Sequence, residues 1–128
     1  MLKYNQLVMD HFKNPRNLGE INDPDAQATE GSIVCGDMMT LYLKVSNGKI
    51  DDVKFQTYGC AANIATASMM TQVVKGLTID EAEKVSWKEI VEKLGGLPEV
   101  KYHCSNLAVD TLKKALKNYR ENKEVKQQ

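Results

Sequence analysis

The sequence predicts an α+β domain in which a three-stranded antiparallel sheet packs against about five helices. Three features require it. Thr40–Val45 and Val53–Thr57 alternate apolar and polar side chains on either side of Asn47-Gly48, a pair that accepts positive φ in a tight hairpin turn. Ala61 to Val74 is dense in small and apolar residues and stops at Gly76, as a helix packed on a sheet would. Thr78-Ile79-Asp80-Glu81 and Ser86-Trp87-Lys88-Glu89 each have the form of a capping box, so two short helices follow. With one apolar face per strand, helices must cover one side of the sheet.

In chain order, Leu7, Val8 and Phe12 follow Tyr4 at helical spacing until Asn14-Pro15, which predicts a helix over residues 3–13. His11 lies in it and reads as a surface or boundary histidine, because no second ligand type stands one turn away. Residues 14–25 are polar, contain Pro15, Gly19 and Pro24, and form a connection. The first strand is expected over Gln27–Val34, the hairpin follows, and Met69 and Met70 fill core gaps in the next helix. Gly95-Gly96 ends the second short helix, Leu97-Pro98-Glu99-Val100 is expected to be extended around its proline, and the last helix covers 104–121. Its buried stripe is Ala108, Leu112, Ala115 and Tyr119, and from about residue 120 the chain is polar enough to fray.

The 128 residues suffice for one domain, 1–128, and not for two ordinary ones. Seventeen basic and seventeen acidic residues cancel, which argues against a nucleic-acid or anionic-membrane surface. The N-terminus lacks the apolar stretch of a signal peptide, and no apolar run could span a bilayer, so a soluble, cytoplasmic protein is expected. Three cysteines cannot all pair within one chain. In a reducing compartment they serve metal binding or catalysis.

The cysteines fall at chain junctions. Cys35 belongs to the expected turn Cys35-Gly36-Asp37, Cys60 to the passage from strand to helix, and Cys104 to the start of the last helix. An antiparallel meander puts that turn beside the exit of the third strand, making Cys35 and Cys60 neighbours. Gly36 and Gly59 would let the backbone approach a bound group. At a helix N-terminus, with Lys101 nearby, Cys104 is expected to favour thiolate. Taken singly these residues have blander readings, Cys104 as a small core residue and Asp37 as a turn-stabilising Asx residue.

Together Cys35, Asp37, Cys60, His103 and Cys104 offer three sulfurs, one oxygen and one nitrogen. Such ligands select zinc, copper(I) or iron–sulfur clusters, yet the close Cys-x-x-Cys pairs of structural zinc sites and ferredoxins are absent. A hard Asp oxygen matches a soft cluster poorly, which suits a cluster meant to leave. Two alternatives are a stable zinc protein and a thiol hydrolase or transferase with a Cys104–His103 dyad. The dyad is disfavoured because sequence neighbours at a helix start generally point apart.

Four motifs in order carry a resemblance. They are Asp10-His11-Phe12-Lys13-Asn14-Pro15-Arg16-Asn17-Leu18-Gly19, Cys35-Gly36-Asp37-Met38-Met39, Tyr58-Gly59-Cys60, and Leu97-Pro98-Glu99-Val100-Lys101-Tyr102-His103-Cys104-Ser105. Across residues 4 to about 120 the chain resembles the IscU and NifU N-terminal family of iron–sulfur cluster assembly scaffolds, and its histidine at 103 is similar to the IscU branch rather than to the SufU proteins. The resemblance implies a sheet-and-helix fold and a scaffold, not an enzyme. It would build a 2Fe-2S cluster held by Cys35, Cys60 and Cys104, with Asp37 or His103 as fourth ligand. It implies iron as cargo, zinc as a possible occupant of the cluster-free form, and a cluster held within one chain or bridging a homodimer. The partners implied are a pyridoxal-phosphate cysteine desulfurase that delivers persulfide sulfur to Cys104, a ferredoxin-type electron donor, and apo-proteins that receive the cluster. Glu99 stands where many relatives have a second proline read by an Hsp70 chaperone with its J-protein, which counts against chaperone-assisted transfer and for direct transfer. No second cysteine-pair domain follows, unlike full-length NifU. Cys60-Ala61-Ala62-Asn63 departs from the Gly and Ser common after this cysteine, and the sequence offers no reason for it.

Overall fold

The computed structural model describes residues 3–32 and 36–127, with side chains as far as residue 122 and without that of Ser32. Among the described residues there are three strands, β1 (Ala26–Ser32), β2 (Asp37–Ser46) and β3 (Lys49–Tyr58), and five α-helices. The helices are α1 (Gln6–Lys13), α2 (Ala61–Val74), α3 (Ile79–Glu83), α4 (Trp87–Lys93) and α5 (Tyr102–Gln127). The sheet is antiparallel in the order β1-β2-β3. Asn47 and Gly48 both adopt positive φ, 54° and 76°, at the β2–β3 turn, the geometry that two-residue hairpins demand.

Alternation along the strands puts Met39, Leu41, Leu43, Ile50, Val53 and Phe55 on the buried side, each at 0% exposure. Leu41 stands opposite Phe55 across the β2–β3 ladder, and burying a side chain of this size contributes about 1.5–3 kcal/mol. The helices α2 and α5 lie against this face, with Ala108, Leu112, Ala115 and Leu116 of α5 buried. Helix α2 is enclosed on most sides, and its small residues let neighbours approach closely. Met70 is fully buried in it, and Met69 is nearly so.

Several boundaries differ from the sequence expectation, each for a local reason. Helix α1 begins at Gln6 because Asn5 caps it: Asn5 Oδ1 accepts from Val8 N at 2.8 Å, while Nδ2 donates to Leu94 O at 2.9 Å. Asp37 belongs to β2, in register with Ser32, and is not a turn residue. Glu99–Lys101 is a short 3-10 helix rather than an extended segment, closed by Lys101 N donating to Pro98 O at 2.8 Å. Pro98 stands at its N-cap, a position that needs no N–H. Helix α5 starts at Tyr102 and continues through Gln127, past the expected end at 121, since no Gly or Pro interrupts it. Arg120 also ties it to α3, pairing with Asp80 at 2.6 Å and with Glu83.

His11 is not on the surface. It is 2% exposed, with Nδ1 2.8 Å from Ser68 Oγ of α2, and Ser68 Oγ also accepts from Arg16 N at 2.9 Å. That junction pins the following loop, whose Asn17 and Gly19 bond to both sides of Phe55 along the β3 edge. The opposite edge is covered as well: Asn118 and Lys114 of α5 donate to Gln27 O and Thr29 O at 2.9 and 3.3 Å. Unpaired sheet edges invite association, and these contacts blunt them.

Candidate metal centre

Three junctions of the fold meet at one end of the sheet. Asp37 opens β2, Cys60 is the N-cap residue of α2 after β3, and His103 and Cys104 occupy the first turn of α5. One donor atom each from Asp37, His103 and Cys104 lies within 4.8 Å of the other two. His103 Nε2 is 3.2 Å from Asp37 Oδ2 and 3.5 Å from Cys104 Sγ. Cys60 Sγ stands 3.7 Å from Cys104 Sγ. Of the five residues singled out from the sequence, four are thus brought together. Cys35, and with it the expected Cys35–Cys60 contact, lies outside the described residues.

The hydrogen bonding fits a cation. His103 Nδ1 is 3.1 Å from Val100 O, and a carbonyl only accepts, so Nδ1 carries the ring proton and Nε2 of the neutral imidazole is a lone pair. That lone pair faces a carboxylate oxygen. Two acceptors at 3.2 Å repel unless a proton or a metal ion stands with them, and the two thiols beside them are soft ligands suited to zinc or iron. The site is open on the His103 side, 57% exposed in its side chain, and closes inward through Asp37 at 23% to Cys104 at 0%.

Two expectations are corrected here. Cys104 is not an activated thiolate: burial, then the neighbouring Cys60 and the Asp37 charge, push its thiol up to about 12, with Lys101 opposing. Loss of water around a fully buried sulfur disfavours the thiolate. Nor do His103 and Cys104 point apart. The bond to Val100 O holds the imidazole over the first turn, within 3.5 Å of the sulfur.

Sequence reasoning missed the surroundings of this cluster. Asn63, fully buried in the first turn of α2, donates from Nδ2 to Asp37 Oδ1 at 3.2 Å. Gly59 leaves room for that pair, because a Cβ there would lie 2.2 Å from Asn63 Nδ2 and 2.5 Å from Asp37 Oδ1. Lys101 and Tyr4 lie within the electrostatic reach of Cys60. The Cys60 sulfur strengthens the hold of Lys101 on its proton, and burial followed by Cys60 raises the Tyr4 phenol. Asn63 stands three residues after Cys60, a spacing that could have drawn attention to it.

The fold is α+β, and its sulfur-, imidazole- and carboxylate-bearing corner is one that could hold a metal ion. Residues 3–126 match the NifU-like N terminal domain, and the chain belongs to that family. It is similar to the iron-sulfur cluster assembly scaffold protein IscU 1 of Archaeoglobus fulgidus, 55% identical over 116 residues, covering 91% of this chain and 76% of the relative. Against the IscU scaffold protein of Escherichia coli K12 the identity is 42% over 129 residues, with 98% of this chain and 100% of the relative covered. Among solved structures, a SUF-system scaffold protein from Fervidobacterium islandicum superposes with a TM-score of 0.72 at 28% identity, over 88% of this chain and 96% of that one. A NifU-like protein from Brucella abortus reaches the same TM-score at 24% identity, over 91% and 94% of the two chains, and supports the fold. No helix among the described residues is long and apolar enough to cross a membrane.

Proposed function

We propose that this chain is a scaffold, not a catalyst of its own, on which an iron–sulfur cluster is assembled and from which it is passed to other proteins. The observation that carries the reading is the convergence of Asp37, His103 and Cys104, with the Cys60 sulfur 3.7 Å from that of Cys104, in a member of the NifU-like N terminal domain family. The cargo is a 2Fe-2S cluster, held by Cys60, Cys104 and Cys35 with Asp37 or His103 as the fourth ligand. A carboxylate is a hard ligand for a soft cluster, so Asp37 favours release. Asp37→Cys should hold the cluster longer and donate it more slowly, and equal transfer half-times for variant and parent would remove the release role.

Sulfur arrives as the persulfide of a cysteine desulfurase. Once docking of the donor opens the site and relieves the burial that holds its proton, the Cys104 thiol loses it, with His103 Nε2 3.5 Å away to accept it, and the resulting thiolate attacks the terminal sulfur. The S–S bond of the donor breaks, its cysteine leaves as thiolate, and Cys104 carries the persulfide. Two electrons from a ferredoxin-type donor then cleave it to sulfide and the Cys104 thiolate. Because Cys104 is buried, the donor must displace what covers it. Cys60 is the more open of the two thiols, which favours it as the competing acceptor. Loss of persulfide labelling in Cys104→Ser supports the first assignment, and labelling that persists on Cys60 supports the second. The recipients are apo iron–sulfur proteins of the cytoplasm.

The four donors also match one tetrahedral ion, which favours zinc in the cluster-free form. Anaerobic reconstitution with iron, cysteine and a cysteine desulfurase, followed by Mössbauer and visible spectra and incubation with an apo-ferredoxin, separates the readings. A 2Fe-2S spectrum that decays as the ferredoxin gains its cluster supports the scaffold. Retained zinc and no cluster would make the chain a zinc-binding regulator of the desulfurase.

A further inference from the structure

Asn63, at the end of the segment after Cys60 that departs from the common pattern, faces the metal corner from inside the fold. It is 0% exposed. Its Nδ2 donates to Asp37 Oδ1 at 3.2 Å and approaches Tyr58 O at 3.3 Å, while its Oδ1 lies 3.0 Å from the Thr57 hydroxyl. The carboxylate and the carbonyl only accept, so the amide nitrogen must face them. That sets the orientation of Asn63, while the single Thr57 proton is shared between Asn63 Oδ1 and Met38 O, 2.7 Å from the hydroxyl. A carboxylate can bind a metal through one oxygen or two. Here Oδ1 is claimed by the amide and Oδ2 is the oxygen that faces His103 Nε2 at 3.2 Å.

We propose that Asn63 is a positioning residue for the metal site: its amide holds Asp37 by Oδ1 so that Oδ2 alone is presented to a bound metal. The proposal rests on the reading of Asp37 as a ligand. A free aspartate at the start of a strand would lose rotamer freedom on binding, and the Asn63 bond fixes that rotamer beforehand. Gly59 belongs to the same device, because any larger residue would drive a Cβ between the two side chains.

The test uses the whole chain and zinc alone, titrated anaerobically against a chromophoric chelator, with the ligand-field absorption of cobalt(II) as a second readout. Asn63→Ala should weaken zinc binding about 10- to 100-fold, the usual effect of removing a group that orients a ligand. Its cobalt(II) spectrum should move toward that of Asp37→Ala. In the Asp37→Ala background, Asn63→Ala should cost nothing further. Gly59→Ala provides a variant that keeps both partners. The φ of Gly59 lies outside the left-handed region, and the added Cβ would press on Asn63 Nδ2 and Cγ and on Asp37 Oδ1, all within 3.0 Å, so the Asn63–Asp37 bond should not survive. It should reproduce the loss seen with Asn63→Ala, and it decides the matter if Asn63→Ala does not fold. Parent-like zinc affinity in Asn63→Ala and Gly59→Ala, with Asp37→Ala weakened, would overturn the inference and leave the site reading standing. An equal loss with or without Asp37 would also overturn it, since Asn63 would then act through the fold. Unchanged affinity in Asp37→Ala would instead refute Asp37 as a ligand, and the inference with it.

Discussion

Replacing Ser68 by alanine removes one hydroxyl from the junction of α1, the loop after it and α2. Ser68 Oγ is 2.8 Å from His11 Nδ1 and accepts from Arg16 N at 2.9 Å. His11 is 2% exposed and Ser68 0%, so the imidazole nitrogen finds no water in place of the hydroxyl. Arg16 is half-buried and its amide recovers part of its solvation. An orphaned buried polar group costs about 1–3 kcal/mol, and one full and one partial loss come to about 2–3 kcal/mol. For a chain of this size that lowers the Tm by roughly 6–15 °C, at about 3–5 °C per kcal/mol. Thermal unfolding above about pH 7.5, where an ordinary histidine is neutral, measures this without a change in protonation. A double-mutant cycle with His11→Ala separates the imidazole contribution from that of the Arg16 amide. A Tm within about 2 °C of the parent, well under the loss expected for even one orphaned group, would refute the view that this hydroxyl holds the junction.

Burial first, then the Arg16 cation, lowers the pKa of His11, with Asp10 opposing. The unfolded chain binds the proton near the ordinary value of about 6.5 and the folded chain only at lower pH. The contribution is therefore intact above that value and is lost as pH falls through the folded pKa, at no more than about 1.4 kcal/mol per pH unit for one proton. Urea unfolding of parent and His11→Gln between about pH 8 and pH 5 should give curves that diverge on the acid side, and parallel curves would exclude His11 as their source. Because Cys60 is partly exposed and Cys104 buried with its thiol raised, brief alkylation of the metal-free chain followed by peptide mapping should label Cys60 well before Cys104. The reverse order would contradict the burial. Replacing Lys114 and Asn118 together by alanine leaves Gln27 O and Thr29 O without their α5 donors and opens the β1 edge. Sedimentation velocity should then show larger species than the parent does, and an unchanged distribution would mean that α5 itself covers the edge.

Features that depend on a few neighbouring residues are legible in the sequence alone. Asn47-Gly48 turns the hairpin with both residues at positive φ. Thr78 and Glu81 close a full capping box, and Ser86 caps α4 through Glu89 N. Such signals act over three or four positions, through backbone conformations that few residue types allow. The alternation of β2 and β3 likewise names the buried face, because side-chain direction along a strand is a property of the backbone alone.

Residues whose states the sequence does not reveal owe them to distant partners. His11 reads as a surface or boundary residue because no second ligand type stands one helical turn away, whereas its partner Ser68 lies 57 positions on. Asn63 acquires a role only from Asp37, 26 positions earlier, which the fold brings against its amide. Cys104 shows the limit most clearly. Its place in the first turn of α5 is local and nearly legible from the chain, and the helix dipole acting on it is local too. Its protonation depends on how much water the surrounding chain removes, and burial is the largest cause that raises its thiol. The identity of the donor residues is written in the chain, since each chemistry needs its own side chain. Which oxygen of Asp37 faces outward, which thiol is open and which nitrogen of His103 bears the proton follow from packing between segments far apart in sequence, because desolvation and hydrogen-bond geometry exist only once those segments meet.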